Sequence, residues 1–409
     1  MNTKKKILIT PLNWGLGHAT RCIPIIKALE YYNFEPIIAS DGVALALLKK
    51  EFPHLICLEL PAYNIEYASN GKNFKWKLLA QMPKMFMAIN KEKRAINTII
   101  SAYNIDGLIS DNRLGSFSKS IPSVFITHQL NVLSGKTSWL TTKVHLNYIK
   151  KYAACWVPDV NKFPNLSGKL GHLKNPLDNV KYIGPLSRIN KKELPKKYDL
   201  MVILSGPEPQ RTLLEEKLIK ELQEYPEQIL FVKGVIQSEQ KNWEENQFTY
   251  FNFMNSEQLE TAFNESEVVL CRSGYTTVMD LAKLGKKAFF IPTPGQYEQE
   301  YLAKKYKKEG IAPCSKQEKF TIQKLSKIEV YKGLQDFSTE IDWKNLFILF
   351  QTLKQSWNMM LFNSFTIITN FDNNFIIHKI FNTYFSCPVF FSIFNGIFDQ
   401  ISNYLLNFF

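Results

Sequence analysis

Two segments of the chain carry residue types able to act on a ligand. The first is Asn13-Trp14-Gly15-Leu16-Gly17-His18, a glycine-containing turn between an apolar run and a helical pattern. Such a turn aims backbone N–H groups and the positive end of a helix at an anion. His18 stands at that helix start, where the dipole disfavours imidazolium and keeps a neutral base available near pH 7. The ordinary alternative is a histidine that only caps the turn. Asp111 directly follows the apolar run Gly107-Leu108-Ile109-Ser110. If both apolar runs are strands of one parallel sheet, this carboxylate emerges at the edge where His18 sits, and open parallel sheets bind ligands at that edge. There it would orient the imidazole and stabilise its charged form, as the third group does in nucleophilic triads. The competing reading is that Asp111 caps its own turn through Asn112 and Arg113.

The second segment runs from Val268 to Asp280: a buried strand through Cys271, a polar turn Arg272-Ser273-Gly274, then a helix. Ser273 and Gly274 expose backbone amides, and Thr276 and Thr277 add hydroxyls at the helix start, a set suited to a diphosphate. Asp280 falls one turn into the helix, where its carboxylate can accept two hydroxyls of a ribose. Phosphate and vicinal diol together indicate a nucleotide; an N-cap plus a surface aspartate is the plainer reading. Downstream, Gln299 and Glu300 open a helix after the loop Ile291 to Gln296 and are of the kind that read sugar hydroxyls. Gly15 and Gly17 lack the third glycine of a dinucleotide fingerprint, where Thr20 stands, and only Asp41 is near the acidic position. That argues against a dehydrogenase.

Elements that position these residues can be read from the apolar pattern. Ile7 to Thr10, Pro36 to Ala39, Leu55 to Leu60, Gly107 to Ser110 and Ser123 to Ile126 alternate with helical stretches, as in a parallel α/β sheet. The polar, breaker-rich stretch Gly184 to Lys192 reads as a linker. The pattern then restarts: strand Leu200 to Leu204, turn Ser205-Gly206-Pro207, helix Arg211 to Leu222, and further strands at Gln228 to Val232, Val268 to Cys271 and Ala288 to Ile291. The expectation is two Rossmann-like domains, 1–186 and 187–356, each opened by a strand, a glycine turn and a helix. From 357 to 409 the texture changes to phenylalanine, isoleucine and asparagine, and Ile380 to Phe398 carries no charge. That length approaches a bilayer span. Asn382, Pro388 and Asn395 weaken it as a span, which leaves a membrane-surface segment or residues appended to the fold.

Composition narrows the class. At 409 residues the chain can bury a core without metals or disulfides. Its six cysteines never form C-x-x-C, which removes zinc ribbons and thioredoxin-type sites and fits a reducing cytoplasm. Three lysines before the short run Ile7 to Thr10 read as a strand entrance rather than an export signal. A net charge of +13 fits nucleic acid, an anionic membrane surface or phosphorylated small molecules. The lysines are spread along the chain and no nucleic-acid motif accompanies them, so nucleic acid is not expected as a partner. No aspartate stands two residues from another and there is no His-Glu-x-x-His, so no metal site is expected.

The residues Arg272-Ser273-Gly274 to Asp280, with Pro292 to Ala303, resemble the donor-binding domain of glycosyltransferase family 28, and the turn ending in His18 resembles that family's acceptor-side loop. The resemblance spans about residues 5–350 and is most specific in the second half. It implies the GT-B fold (two Rossmann-like domains facing across a cleft), an inverting mechanism and a uridine-diphosphate (UDP) sugar donor; no cofactor is expected beside that substrate. By position it puts Arg272, Ser273, Gly274 and Thr276 around the diphosphate, and without a metal Arg272 and the helix N-terminus would stabilise the leaving group. It puts Asp280 at the ribose in place of the family's glutamate, and Gln299 and Glu300 at the donor sugar. Phe253 and Met254 match the segment that grips the base. Ser205 and Gly206 form the second half's first turn, and Asn13, Gly15 and Gly17 the acceptor loop. Asp280 is one methylene shorter than glutamate, and the Ser205-Gly206-Pro207 turn lacks a second glycine, so the acceptor is not inherited.

The resulting expectation is a metal-independent inverting hexosyltransferase with a His18–Asp111 base. Its acceptor would be lipid-linked or a glycan, and it would work in the cytoplasm or peripherally on the inner face of a membrane. Residues 62–90, rich in lysine, tryptophan, methionine and phenylalanine, read as an acceptor-facing stretch or one that touches a lipid bilayer. A UDP-sugar 2-epimerase shares the architecture, but it needs cleft carboxylates that the first half supplies sparsely. A non-catalytic nucleotide-sugar or membrane-surface binder is the third reading.

Overall fold

A computed structural model of the protein describes residues 4–63, 74–135, 138–235, 237–335 and 340–351. The segment 64–73 of the acceptor-facing stretch and the tail expected from 357 onward lie outside the described residues. By internal contacts the chain divides into two compact units, Met1–Trp357 and Asn358–Phe409. Both sheets described below lie in the first.

The first sheet, among the described residues, is built from β1 (Lys6–Pro11), β2 (Glu35–Ser40), β3 (Cys57–Glu59), β4 (Gly107–Asp111), β5 (Ser123–Ile126), β6 (Ala154–Val157) and β7 (Val180–Tyr182). The order is β3-β2-β1-β4-β5-β6-β7 and every pairing is parallel. Its central strands are buried end to end, which is why they read as continuous Ile, Leu and Val runs without alternation. Helices α1 (Leu16–Tyr31), α2 (Gly42–Glu51), α3 (Phe74–Tyr103) and α4 (Ser138–Ile149) connect them. β6 and β7 have no counterpart in the sequence reading, because runs of three or four residues give too little pattern.

The second sheet holds β8 (Tyr198–Ile203), β9 (Ile229–Val232), β10 (Asn242–Glu245), β11 (Phe248–Phe251), β12 (Ser266–Cys271) and β13 (Lys287–Phe290), in the order β10-β11-β9-β8-β12-β13. Only the edge hairpin β10–β11 is antiparallel among these pairings. Helices α5 (Gln210–Glu221), α6 (Ser256–Glu265), α7 (Tyr275–Leu284) and α8 (Tyr297–Lys308) complete this half. A capping box of Asn255 with Gln258 starts α6, and Gly285 at φ +64° ends α7 in the left-handed conformation that glycine favours.

The chain then returns. Helix α9 (Trp343–Gln351) packs Phe347 and Phe350 against Phe34 and Trp156 of the first half. A Cβ on Gly107 would collide with the Phe350 ring, so β4 needs glycine where this helix presses on it. The sequence reading put residues through 356 with the second half. The apolar face of α9 is covered by the first sheet instead. No helix among the described residues is long and apolar enough to cross a membrane.

Candidate active site

Strand register places the chemistry. β1 and β4 are neighbours with Pro11 opposite Asp111, so both chains leave the sheet at one point. From there the first strand turns through Gly15, which has the positive φ of +78° that this entry into α1 requires. His18 lies in the first turn of α1 and meets Asp111, with Nδ1 2.7 Å from Oδ1. Arg21, one turn further on the same helix face, holds both oxygens of Asp111 through Nε and Nη2. Its Nη2 also stands 2.7 Å from His18 Nδ1, and its Nη1 2.9 Å from His128 Nδ1.

His128 follows β5 and reaches the same edge. Its Nε2 is 3.1 Å from Glu298 Oε1, a carboxylate carried by α8 in the second half, and the Gln129 side-chain amide donates to the other Glu298 oxygen. His18, Arg21, Asp111, His128 and Glu298 therefore form one connected, largely buried polar cluster. Burial by itself would raise the Asp111 carboxyl, but Arg21 and His18 override it and hold the group at about 2. Burial, reinforced by Arg21, pushes His18 below the ordinary imidazole range despite the neighbouring Asp111. His18 is neutral at pH 7 in this setting.

The two halves touch beside this cluster. Tyr275, the first residue of α7, donates its hydroxyl to Pro158 O at 2.9 Å, and Thr276 donates its hydroxyl to Gly17 O at 3.1 Å. The N-termini of α1 and α7 are thus brought together. A side chain at Gly274, the α7 N-cap, would meet nothing within 4 Å, so its backbone faces open space.

Other residues singled out from the sequence are placed as follows. Ser205 and the exposed Gly206, at φ +108°, form the turn after β8. Gly206 lies beside Thr293, whose hydroxyl a Cβ there would approach to 3.6 Å. Thr277 is half-buried in the first turn of α7. The Phe253 ring is covered by Lys50 of α2, with its ammonium 4.7 Å from the centroid, while Met254 packs into the core. Asn13 bonds Asp41 at 3.0 Å and accepts from Ala44 N at 3.3 Å, which pins its loop to the start of α2. Asp41 in turn pairs with the buried Arg113 at 2.6 Å, and Arg113 with Glu92 of α3.

Five of the residues assigned to the donor, Arg272, Ser273, Gln299, Glu300 and Asp280, bond to other parts of the protein. Arg272 is buried, and its guanidinium donates to the carbonyls of Ile291, Pro292 and Gln210 and to Gln317 Oε1. Burial brings it down to about 10, and it orders protein loops where the sequence suggested a contact to diphosphate. Ser273 spends its hydroxyl on Gln299 O at 2.8 Å. The Gln299 side chain accepts from Thr293 N at 2.8 Å and donates to Gln296 at 2.6 Å, so it ties its own loop. Glu300 accepts from Gly295 N at 3.2 Å on the outer side of that loop, and it is Glu298 that points at the first half. Asp280 is buried and accepts from the Ser187 hydroxyl of the linker at 2.7 Å.

Residues 206–337 match the family model described as glycosyltransferase family 28 C-terminal domain. A curated relative from Wigglesworthia glossinidia brevipalpis is 24% identical over 345 residues, covering 80% of this chain and 88% of its own length. It is named UDP-N-acetylglucosamine–N-acetylmuramyl-(pentapeptide) pyrophosphoryl-undecaprenol N-acetylglucosamine transferase. A protein of the same name from Haemophilus influenzae is 25% identical, over 74% of this chain and 82% of its own. The second half carries a glycosyltransferase family 28 C-terminal domain, and the protein is a glycosyltransferase. Among solved structures, MurG of Acinetobacter baumannii superposes with a TM-score of 0.51 at 14% identity, over 85% of this chain and all of that one. The kitacinnamycin glycosyltransferase gives 0.55 at 13%, over 87% and 98%. Both carry the GT-B fold, as does this transferase. The epimerase alternative gains no support from these relatives.

Three residues of the transferase's cluster were not singled out by sequence reasoning: Arg21, His128 and Glu298. The signal for Arg21 was its i,i+3 spacing from His18. For His128 it was the position just past a strand adjacent to β4.

Proposed function

We propose that the protein transfers a sugar from a UDP-sugar to an acceptor hydroxyl with inversion at the anomeric carbon, without a metal ion, and with His18 as the base. The observation that carries the reading is the His18–Asp111 pair at the point where the N-termini of α1 and α7 meet. Nδ1 of His18 has two neighbours, the acceptor Asp111 and the donor Arg21. A proton on Nδ1 has only Asp111 to go to, which leaves Nε2 bare; among the described residues no hydrogen bond engages Nε2, and the side chain keeps 15% exposure. With its proton on Nδ1 and given to Asp111, the ring presents Nε2 as the atom that takes a proton; in the other tautomer Nδ1 accepts from Arg21. As the acceptor oxygen bonds the sugar carbon, its proton passes to Nε2, and the bond to the diphosphate breaks with its electron pair.

Since Arg272 is committed to protein carbonyls, the charge on the departing diphosphate falls to the N–H groups at the start of α7, from Gly274 onward. The metal-free reading rests on the lack of an Asp-x-Asp in the sequence. The curated relatives are named for an undecaprenyl-linked acceptor. We extend only the class, a lipid-linked hydroxyl compound presented at the cytoplasmic face of a membrane, and leave the sugar open among hexoses.

Titration calorimetry with UDP in EDTA tests the donor; binding that requires magnesium would refute the metal-free assignment. His18→Ala should cut UDP release from the donor found by thermal-shift screening about 10²–10⁴-fold with UDP affinity nearly unchanged. In the wild type, rate should fall on the acid side only below the free-imidazole value of 6.5, because the His18 shift is downward. Normal turnover by His18→Ala would remove the base assignment. Mass spectrometry of products formed on cell-extract lipids then identifies the acceptor.

A further inference from the structure

The base cluster is not confined to the half that holds His18. Glu298 enters it from α8, and the contacts that carry it there are set by the apposition of the two halves: Tyr301 accepts from Lys169 N at 2.9 Å, Tyr306 donates to Leu166 O at 2.7 Å, and Lys305 donates to Asn165 O at 2.8 Å. Around His18 stand Arg21 and Cys22 from α1, Asp111 from β4, His128 from the segment after β5, and Glu298 from α8. Tyr275 from α7 covers the His128 ring. Burial keeps Cys22 and Tyr275 as neutral thiol and phenol. Arg21, Asp111 and Glu298 are the charged carboxylate and guanidinium groups of this set, and burial with Arg21 disfavours the charged form of His18.

Without Glu298 this set is an arginine–aspartate pair with no net charge, and the arginine repels a proton arriving on His18. Glu298, 3.1 Å from the His128 ring, adds one negative charge to the buried set. A buried excess charge is costly unless matched, so the cluster gains from taking up one proton. We propose that Glu298, brought from the second half, supplies the negative charge that lets the His18 cluster accept the acceptor's proton, so that the base is complete only while the two halves are apposed. Glu298 acts through His128 and Arg21 and touches no reacting atom in this scheme; it is a positioning residue for the base. Burial would raise the Glu298 carboxyl, yet His128, Arg21 and His18 hold it below the usual range, so it stays ionised in the cluster. The inference rests on the reading of His18 as the base.

Glu298→Gln keeps the shape and an acceptor for Gln129 while removing the charge. Nitrogen-15 NMR of the histidine rings in the full chain, with UDP present, gives the His18 titration directly, and His18→Ala and His128→Ala assign the signals. In Glu298→Gln, His18 should titrate at least about half a pH unit lower than in the wild type, because one negative charge of its cluster is gone. Hydrolysis of UDP-N-acetylglucosamine, with water as acceptor, should slow about tenfold or more, its acid limb should move to lower pH, and UDP affinity should stay within about threefold. Glu298→Asp keeps the charge and should return His18 toward the wild-type titration, which a merely structural role would not require. An unchanged His18 titration in Glu298→Gln overturns the proposal. So does an equal loss of rate from Glu298→Gln in wild-type and His18→Ala backgrounds. Full turnover by His18→Ala would instead remove the base reading and leave the measured Glu298–His18 coupling standing.

Discussion

Tyr275 of the second half lies flat on His128 of the first, with ring centroids 4.3 Å apart and planes within 5° of parallel. The tyrosine is fixed at both ends, since its backbone begins α7 and its hydroxyl bonds Pro158 O. The ring therefore sets how closely the donor-side helix approaches the base cluster. Tyr275→Phe keeps the stack and loses one buried hydrogen bond, an expected cost of about 1 kcal/mol. Tyr275→Ala removes a buried ring and should cost about 3–5 kcal/mol. Urea denaturation measures both. Equal losses in the two variants would mean that the stacked ring adds nothing to the junction.

Gly17 of α1 and Thr276 of α7 are in direct contact. A Cβ at Gly17 would stand 2.9 Å from Thr276 Oγ1, closer than side chains tolerate. Gly17→Ala should therefore destabilise by about 1–3 kcal/mol through overpacking, in spite of alanine's higher helix propensity. In a Thr276→Ala background the obstructing oxygen is gone, and the same substitution should become neutral or stabilising by up to about 1 kcal/mol. A thermal double-mutant cycle reads the change of sign. Identical effects in both backgrounds would show that the helices do not meet through this contact.

The fold was legible where the pattern was long. Ile7 to Thr10 followed by a glycine turn, and Leu200 to Leu204 followed by another, announce two parallel sheets because buried parallel strands are uniformly apolar. The His18–Asp111 meeting was legible too, since adjacent strand ends share an edge. Arg21 was hidden by its own helix: it lies on the buried face with Cys22 and Ile25, and a cation among apolar residues does not announce its partner. Glu298 looked like one acid among Glu298, Gln299 and Glu300 at a solvated helix start, and only the apposed first half shows which of the three faces inward. Arg272 misled for a physical reason. A cation beside a Ser-Gly turn fits an anion equally well whether it points at a ligand or, as here, at buried carbonyls. The sequence carries no sign of burial depth, so the two readings diverge only in three dimensions.

Asp280 offers a test that separates folding from ligand binding. Its carboxyl is buried, and burial lifts it to about 6 against the opposing pull of Arg188 and of the Ser187 hydroxyl. A folded-state value above the unfolded 3.8 means that the native state binds more protons between those limits. Stability from this group is thus fully present below about pH 4 and is lost as pH rises through about 6. At pH 7.5 the ionised aspartate opposes folding, and Asp280→Asn should be as stable as the wild type or more so, by up to about 3 kcal/mol, the free energy that corresponds to a rise from 3.8 to about 6. At pH 4.5 the native group is largely protonated while the unfolded one is mostly ionised, and the difference should shrink to about 1 kcal/mol. Groups that titrate elsewhere contribute alike to both proteins and cancel in the difference. If Asp280 also holds the ribose, the variant that gains apo stability should lose donor affinity by about 1–3 kcal/mol, since the ribose hydroxyls lose their acceptor. Urea denaturation at the two pH values, with and without UDP, reads both effects in one experiment. A stability difference that stays constant with pH would mean that Asp280 is already ionised without penalty in the folded protein. A UDP stabilisation equal in both proteins would place the ribose elsewhere.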